Sequence, residues 1–193
     1  MGLRRMRRLL PGAWLFAVAV WLVVEAPAAA EIRVNDLDVF LNDHEVTVHA
    51  VALGTVPPNF YESIDSGIAA HVRFTVELWQ YNRFWRDRLL TTMIFERHLT
   101  YNAVTKEYKV TFLKGESRPV YSTRDLRDAQ RVLSELRAAK LTPASSLGAE
   151  DIIYVRLRAE TALNGENTWV TRAAGLAEQA VVQSDYRTLR RVQ

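Results

Sequence analysis

The chain has 193 residues, no cysteine, and 25 basic against 22 acidic side chains, a formal net charge of +3. The missing cysteine excludes disulfides, thiol chemistry and the lipid-modified cysteine of a lipoprotein, so the fold must hold by packing alone. An apolar share of 49% excludes global disorder.

The amino terminus reads as a secretory signal peptide over residues 1–30. Arg4, Arg5, Arg7 and Arg8 form a basic start, residues 13–24 an apolar run too short to cross a bilayer comfortably, and Ala28 and Ala30 the small side chains before a cleavage site. Cleavage after Ala30 starts the mature chain at Glu31. The alternative is an uncleaved anchor over residues 9–30, which must tolerate Pro11, Gly12 and Glu25. The paired arginines lack a wider twin-arginine consensus, so general secretion is the expected route. The leader holds four of the basic residues and one of the acidic ones, which leaves residues 31–193 formally neutral. Neutrality argues against nucleic-acid binding and against bulk attraction to anionic lipid. Membrane contact is expected only through the leader, if it stays uncleaved. Residues 31–193 suffice for a single globular domain, with no further apolar run of spanning length.

Residues 32–41 alternate apolar and polar side chains, with a phase change between Val34 and Leu37 that predicts a bulge near Asn35-Asp36. Asn42-Asp43 predicts a turn, and alternation resumes over residues 45–53 to complete a hairpin. Pro57-Pro58-Asn59 opens a short helix, in which Asn59 and Glu62 form a predicted capping box, Phe60, Ile64 and Ile68 the apolar face, and Gly67 the weak end. From Val72 the period is two. Val72, Phe74, Val76 and Leu78 face one way; Arg73, Thr75, Glu77, Trp79 and Tyr81 face the other.

Residues 82–87 turn the chain into a second strand, on which Leu89, Met93, Phe95, Leu99 and Tyr101 are assigned one face. After a turn at 102–106, Tyr108, Val110 and Phe112 continue an antiparallel meander. Ser122 or Thr123 caps a second predicted helix with apolar residues Leu126, Ala129, Val132, Leu133 and Leu136 and a charged side of Arg124, Arg127, Asp128, Arg131 and Glu135. It runs to a loop at Thr142-Pro143 and Ser145-Ser146. Residues 152–158 form a strand, 171–178 a helical turn, and 180–189 a last edge strand. The fold class is mainly β: an antiparallel sandwich or half-barrel of six to seven strands with two covering helices. A ferredoxin-like fold is the rival, but it needs only four principal strands.

Three segments carry a family likeness: Arg83-Phe84-Trp85-Arg86-Asp87, His98-Leu99-Thr100-Tyr101-Asn102, and Thr105-Lys106-Glu107-Tyr108-Lys109-Val110. With their aromatic-aromatic-x-acid turn and Y-x-V strand, they resemble an uncharacterised bacterial family of secreted proteins, the domain of unknown function numbered 4390. The leader, first hairpin and second helix fall in the same order, and Gln183-Ser184-Asp185-Tyr186 extends the likeness loosely towards the end. The resemblance implies export and a β-rich fold. It implies no catalytic residue, since the family has no established activity.

Sites for chemistry are sparse. His44, His49, His71 and His98 show no metal-ligand spacing; Glu96 and His98 share a strand face, yet a complete site needs more ligands from elsewhere. Asp43-His44-Glu45 is adequately explained as a turn. Neither G-x-S-x-G nor S-x-x-K occurs, and Ser66, in Asp65-Ser66-Gly67, reads as helix termination. The eight glycines form no phosphate-binding loop. No metal, cofactor or catalytic residue is expected.

The candidate protein contact comprises Trp79, Tyr81, Arg83, Phe84, Trp85 and Arg86. The opposing expectation is that these rings are core, because central strands of a sandwich are covered on both faces. Within the cluster, Trp79 is expected to be structural and Trp85, beside Arg86 and Asp87, to be the contact. The expected function is an exported, non-catalytic binding or scaffolding module of the bacterial cell envelope, with an envelope or membrane protein as partner. Alternatives are a periplasmic accessory of a membrane sensor kinase, which the resemblance suggests, and an enzyme of unfamiliar type.

Overall fold

The computed structural model describes residues 32–41, 44–164, 173–174, 177–183 and 187–188. The expected leader lies outside them. Two antiparallel sheets pack around one core. The first has the order β1 (Arg33–Leu41), β2 (Glu45–Leu53), β7 (Glu135–Pro143). The second runs through β8 (Ile152–Leu163), β3 (Ala70–Gln80), β4 (Arg88–Asn102), β5 (Glu107–Lys114) and β6 (Tyr121–Thr123). Two further strands, β9 (Ala177–Gln183) and β10 (Arg187–Thr188), pair with the free side of β8. The mainly β class is as expected, while the strands exceed the six or seven predicted. The additions are β6, β7 and β10, and the last predicted strand divides into β9 and β10. The helical turn expected over 171–178 lies mostly outside the described residues, and Ala177 and Glu178 already belong to β9.

Alternation builds the sandwich. Val46, Val48, Ala50 and Ala52 of β2 point inward, as do Ala70, Val72, Phe74, Val76 and Leu78 of β3 and Val155, Leu157 and Ala159 of β8. β1 lies against β8 and β9, and β7 against β4, so both sheets share one cluster of buried side chains. The first hairpin forms with its bulge between Val34 and Asp36.

The first helix, α1 (Tyr61–Asp65), is shorter than predicted and has no capping box. Residues 58–60 form a 3₁₀ turn closed by the Phe60 amide on the Pro57 carbonyl (2.9 Å), which takes Asn59 inside the helical turn rather than ahead of it. Phe60 and Ile64 are buried as expected. At the other end Gly67 (φ +90°) closes a Schellman motif, with Ile68 N bonded to Ser63 O and Gly67 N to Ile64 O.

The second helix, α2 (Leu126–Ser134), is capped by Asp125, not by Ser122 or Thr123: Asp125 Oδ1 accepts from Arg127 N at 2.9 Å. Thr123 instead accepts the Asp125 amide. The helix also stops early. Glu135 turns to extended backbone, and residues predicted as helix become β7, paired with β2 from Glu135↔Val51 to Pro143↔Glu45. The three-residue spacing of Leu133, Leu136 and Ala139 imitates a helix. A bulge opposite His49, with Ala138 at φ +46°, lets a strand put Leu136 and Ala139 on the same inward face.

A further bulge corrects the face assigned to Leu89. Leu78 pairs with Thr91 but Trp79 with Leu89, so Leu90 is the extra residue and packs on the core, while Leu89 joins Trp79 on the outer face and is 45% exposed.

Candidate functional site

The β3–β4 connection, residues 81–87, is the most conspicuous surface of the described chain. Phe84 is 88% exposed and Trp85 81%, with Tyr81 (39%) and Leu89 (45%) next to them in the hairpin. Core packing therefore does not describe these two rings: among the described residues no element covers them. Trp79 differs. It is half-buried, stacks on Tyr154 (centroids 6.3 Å apart, rings within 8° of parallel), and donates from Nε1 to Glu77 Oε2 at 3.0 Å.

The loop is braced from within. Asp87 accepts from the Asn82 amide through Oδ1 (3.1 Å) and from the Tyr154 hydroxyl through Oδ2 (2.9 Å). Asn82 Oδ1 in turn accepts from the Phe84 amide at 3.0 Å, an Asx turn. Arg83 folds its guanidinium 5.7 Å from the Phe84 ring centroid, while Arg83, Arg86 and Arg88 are all exposed. The tip thus holds two apolar rings in water among three cations, and its one carboxylate is turned inward.

The histidines do not converge on a metal site. His71 and His98 face each other across β3 and β4, centroids 3.6 Å apart, in a groove of about 380 Å³ that Arg73, Glu96 and Glu160 also line. Glu96, considered above as a partner ligand for His98, accepts instead from Arg73 Nε at 2.9 Å. His49 lies 4.0 Å from Glu135, and the His44 carbonyl accepts from the Ala144 amide. Among the described residues no group of three His, Asp or Glu is placed to hold a metal ion. Ser66 donates to the Glu62 carbonyl at the end of α1, as helix termination requires.

A second groove, of about 510 Å³, runs between the end of β2 and α2, lined by Val51, Leu53, Val56 and Tyr61 with Arg131 and Arg137. Both arginines are already paired, Arg131 with Asp128 and Arg137 with Glu135. The Tyr121 hydroxyl first, and Arg131 after it, hold the Asp128 carboxyl below its usual range, and Arg137 does the same for Glu135.

Sequence reasoning missed Arg97. It is fully buried on the inner face of β4 between Phe95 and Leu99. Its Nη1 donates to the carbonyls of Val132 (3.1 Å), Leu133 (2.9 Å) and Glu135 (2.8 Å), where α2 becomes β7. Nε and Nη2 reach Glu116 at 3.1 and 2.6 Å, and the rings of Phe74 and Phe112 flank the guanidinium. Burial pulls its pKa below the ordinary arginine value, and the Glu116 carboxylate pushes it back up. The available signal was positional: Arg97 is in phase with apolar neighbours on a half-buried strand.

Residues 29–189 match the family described as Domain of unknown function (DUF4390). The chain belongs to this family. The DUF4390 match takes in both sheets, the braced tip and Arg97, and leaves residues 1–28 and 190–193 outside. Comparison with curated proteins and with solved structures gives no match.

Proposed function

We propose that this DUF4390 protein is an exported, non-catalytic binding module of the bacterial cell envelope that engages its partner through the β3–β4 tip. The observation that carries the reading is the exposure of Phe84 and Trp85 on a hydrogen-bonded loop. Burying a Phe side chain is worth about 1.5–3 kcal/mol, and a turn that only reverses the chain has no need to leave two large rings in water. A braced loop also presents them with little ordering entropy left to lose on binding. The basic, apolar and small-residue order of residues 1–30 supports export.

The test is a photo-crosslinking amino acid at position 85 in intact cells, with position 104, an exposed valine in the β4–β5 turn, as control. The expected result is an adduct with an envelope component from position 85 and none from 104, on protein whose amino terminus is Glu31. A cytoplasmic, uncrosslinked protein overturns the proposal.

A further inference from the structure

We infer that the occupant of the β3–β4 tip is an anionic lipid bilayer, with Phe84 and Trp85 entering its interfacial region and Arg83, Arg86 and Arg88 meeting lipid phosphates. This rests on the tip being the binding surface, as proposed above, and names what it binds.

Three observations favour a bilayer over a protein. The first is shape. Two adjacent rings are 88% and 81% exposed and line neither of the two grooves described above. Two such rings offer on the order of 400 Å², against the ~800 Å² per partner of a stable protein interface. Insertion into a bilayer interface needs no such area.

The second is chemistry. Tryptophan and its neighbouring aromatics settle at the headgroup level, where an apolar body and an indole N–H are both accommodated. Phe84 and Trp85 are the most exposed rings of the tip, and Tyr81 and Leu89 are partly exposed next to them in the hairpin.

The third is charge. Within residues 81–89 there are three arginines and one acid, Asp87, whose two oxygens already accept from Asn82 and Tyr154. The outward-facing charge of the tip is therefore wholly cationic, although residues 31–193 as a whole are formally neutral. Neutrality speaks against attraction of the whole molecule, but not against a local cluster within a Debye length of the membrane. Arg83, already stacked over Phe84, is placed to follow the ring inward while its guanidinium stays at the phosphates.

The experiment is sedimentation of the purified protein with vesicles of 30% phosphatidylglycerol in phosphatidylcholine, compared with phosphatidylcholine alone. It is paired with quenching of tryptophan emission by brominated lipid. Partition should be at least about tenfold stronger on the anionic vesicles and fall as salt is raised. Arg86→Gln or Arg88→Gln should each reduce it about fivefold, and Phe84→Ser with Trp85→Ser should abolish it without lowering the melting temperature. Trp85→Phe should keep binding but lose the quenching, which separates the tip from any contribution of the leader. Equal partition on neutral vesicles, quenching that survives Trp85→Phe, or no binding at all overturns the inference. If vesicles fail while position 85 still crosslinks to an envelope protein, the bilayer is wrong and the binding module stands; if both fail, both fall.

Discussion

Arg97 and Glu116 form a buried two-point ion pair, Nη2 to Oε1 at 2.6 Å and Nε to Oε2 at 3.1 Å, with the guanidinium fully enclosed and the carboxylate nearly so. The geometry depends on Gly115. A Cβ there would lie 2.6 Å from both the Ile94 carbonyl oxygen and the Phe95 ring, and φ is +80° where the chain leaves β5 and brings Glu116 back to Arg97. By donating to three carbonyls as well, Arg97 satisfies the end of α2 and marks where helix gives way to strand.

Arg97→Ala should destabilise the protein by about 3–5 kcal/mol in chemical denaturation, because it strands a buried carboxylate and removes the donor of three carbonyls. Adding Glu116→Gln should recover part of that loss, since the uncompensated charge is then gone. A loss below about 1 kcal/mol for Arg97→Ala would contradict this account.

Leu133→Ala tests the packed face of α2. Leu133 is fully buried, so the expected cost is about 2–5 kcal/mol. Truncation of Leu126, half-buried at the first turn, should cost less. Equal effects at the two positions would count against the described packing.

Trp79→Ala and Trp85→Ala should separate cleanly in a denaturant titration. Trp79, half-buried and stacked on Tyr154, should cost roughly 1–3 kcal/mol. Trp85 should lie within about 0.5 kcal/mol of wild type. Asp87→Ala should leave Trp85 in place but faster-moving, seen as quicker amide exchange over residues 82–86.

Tyr108 links stability to alkaline pH. Partial burial, and then the hydrogen bond its hydroxyl donates to Asp65 at 3.0 Å, pushes the phenol up to about 12. The folded state therefore holds this proton more tightly than the unfolded chain, whose tyrosines titrate near 10. The resulting stabilisation is complete below about pH 10 and is lost as pH rises towards 12. Tyr108→Phe should flatten that part of the stability profile; an unchanged alkaline limb would show that the phenol is not linked to folding.

Much of the fold was legible where local period decides. The alternation of β2 and β3, the bulge after Val34 and the β3–β4–β5 meander follow from side chains two apart taking opposite faces, a rule that needs no distant partner. The Schellman end of α1 was readable in part, through Gly67. Faces were misread where a bulge inserts one residue, as at Leu90, because an insertion changes phase without changing composition.

The sequence by itself determined a β-rich chain that folds without disulfides and carries the aromatic turn that became the candidate site. Its local alternation sets which residues can share a sheet face. Only the tertiary structure decided that residues 135–143 are strand rather than helix, since the deciding partners are β2, which offers an edge, and Arg97, which takes up the helix-end carbonyls. It also decided that Arg97 is buried and that Phe84 and Trp85 are not. Burial depends on what other segments cover, and no local pattern of side chains records that.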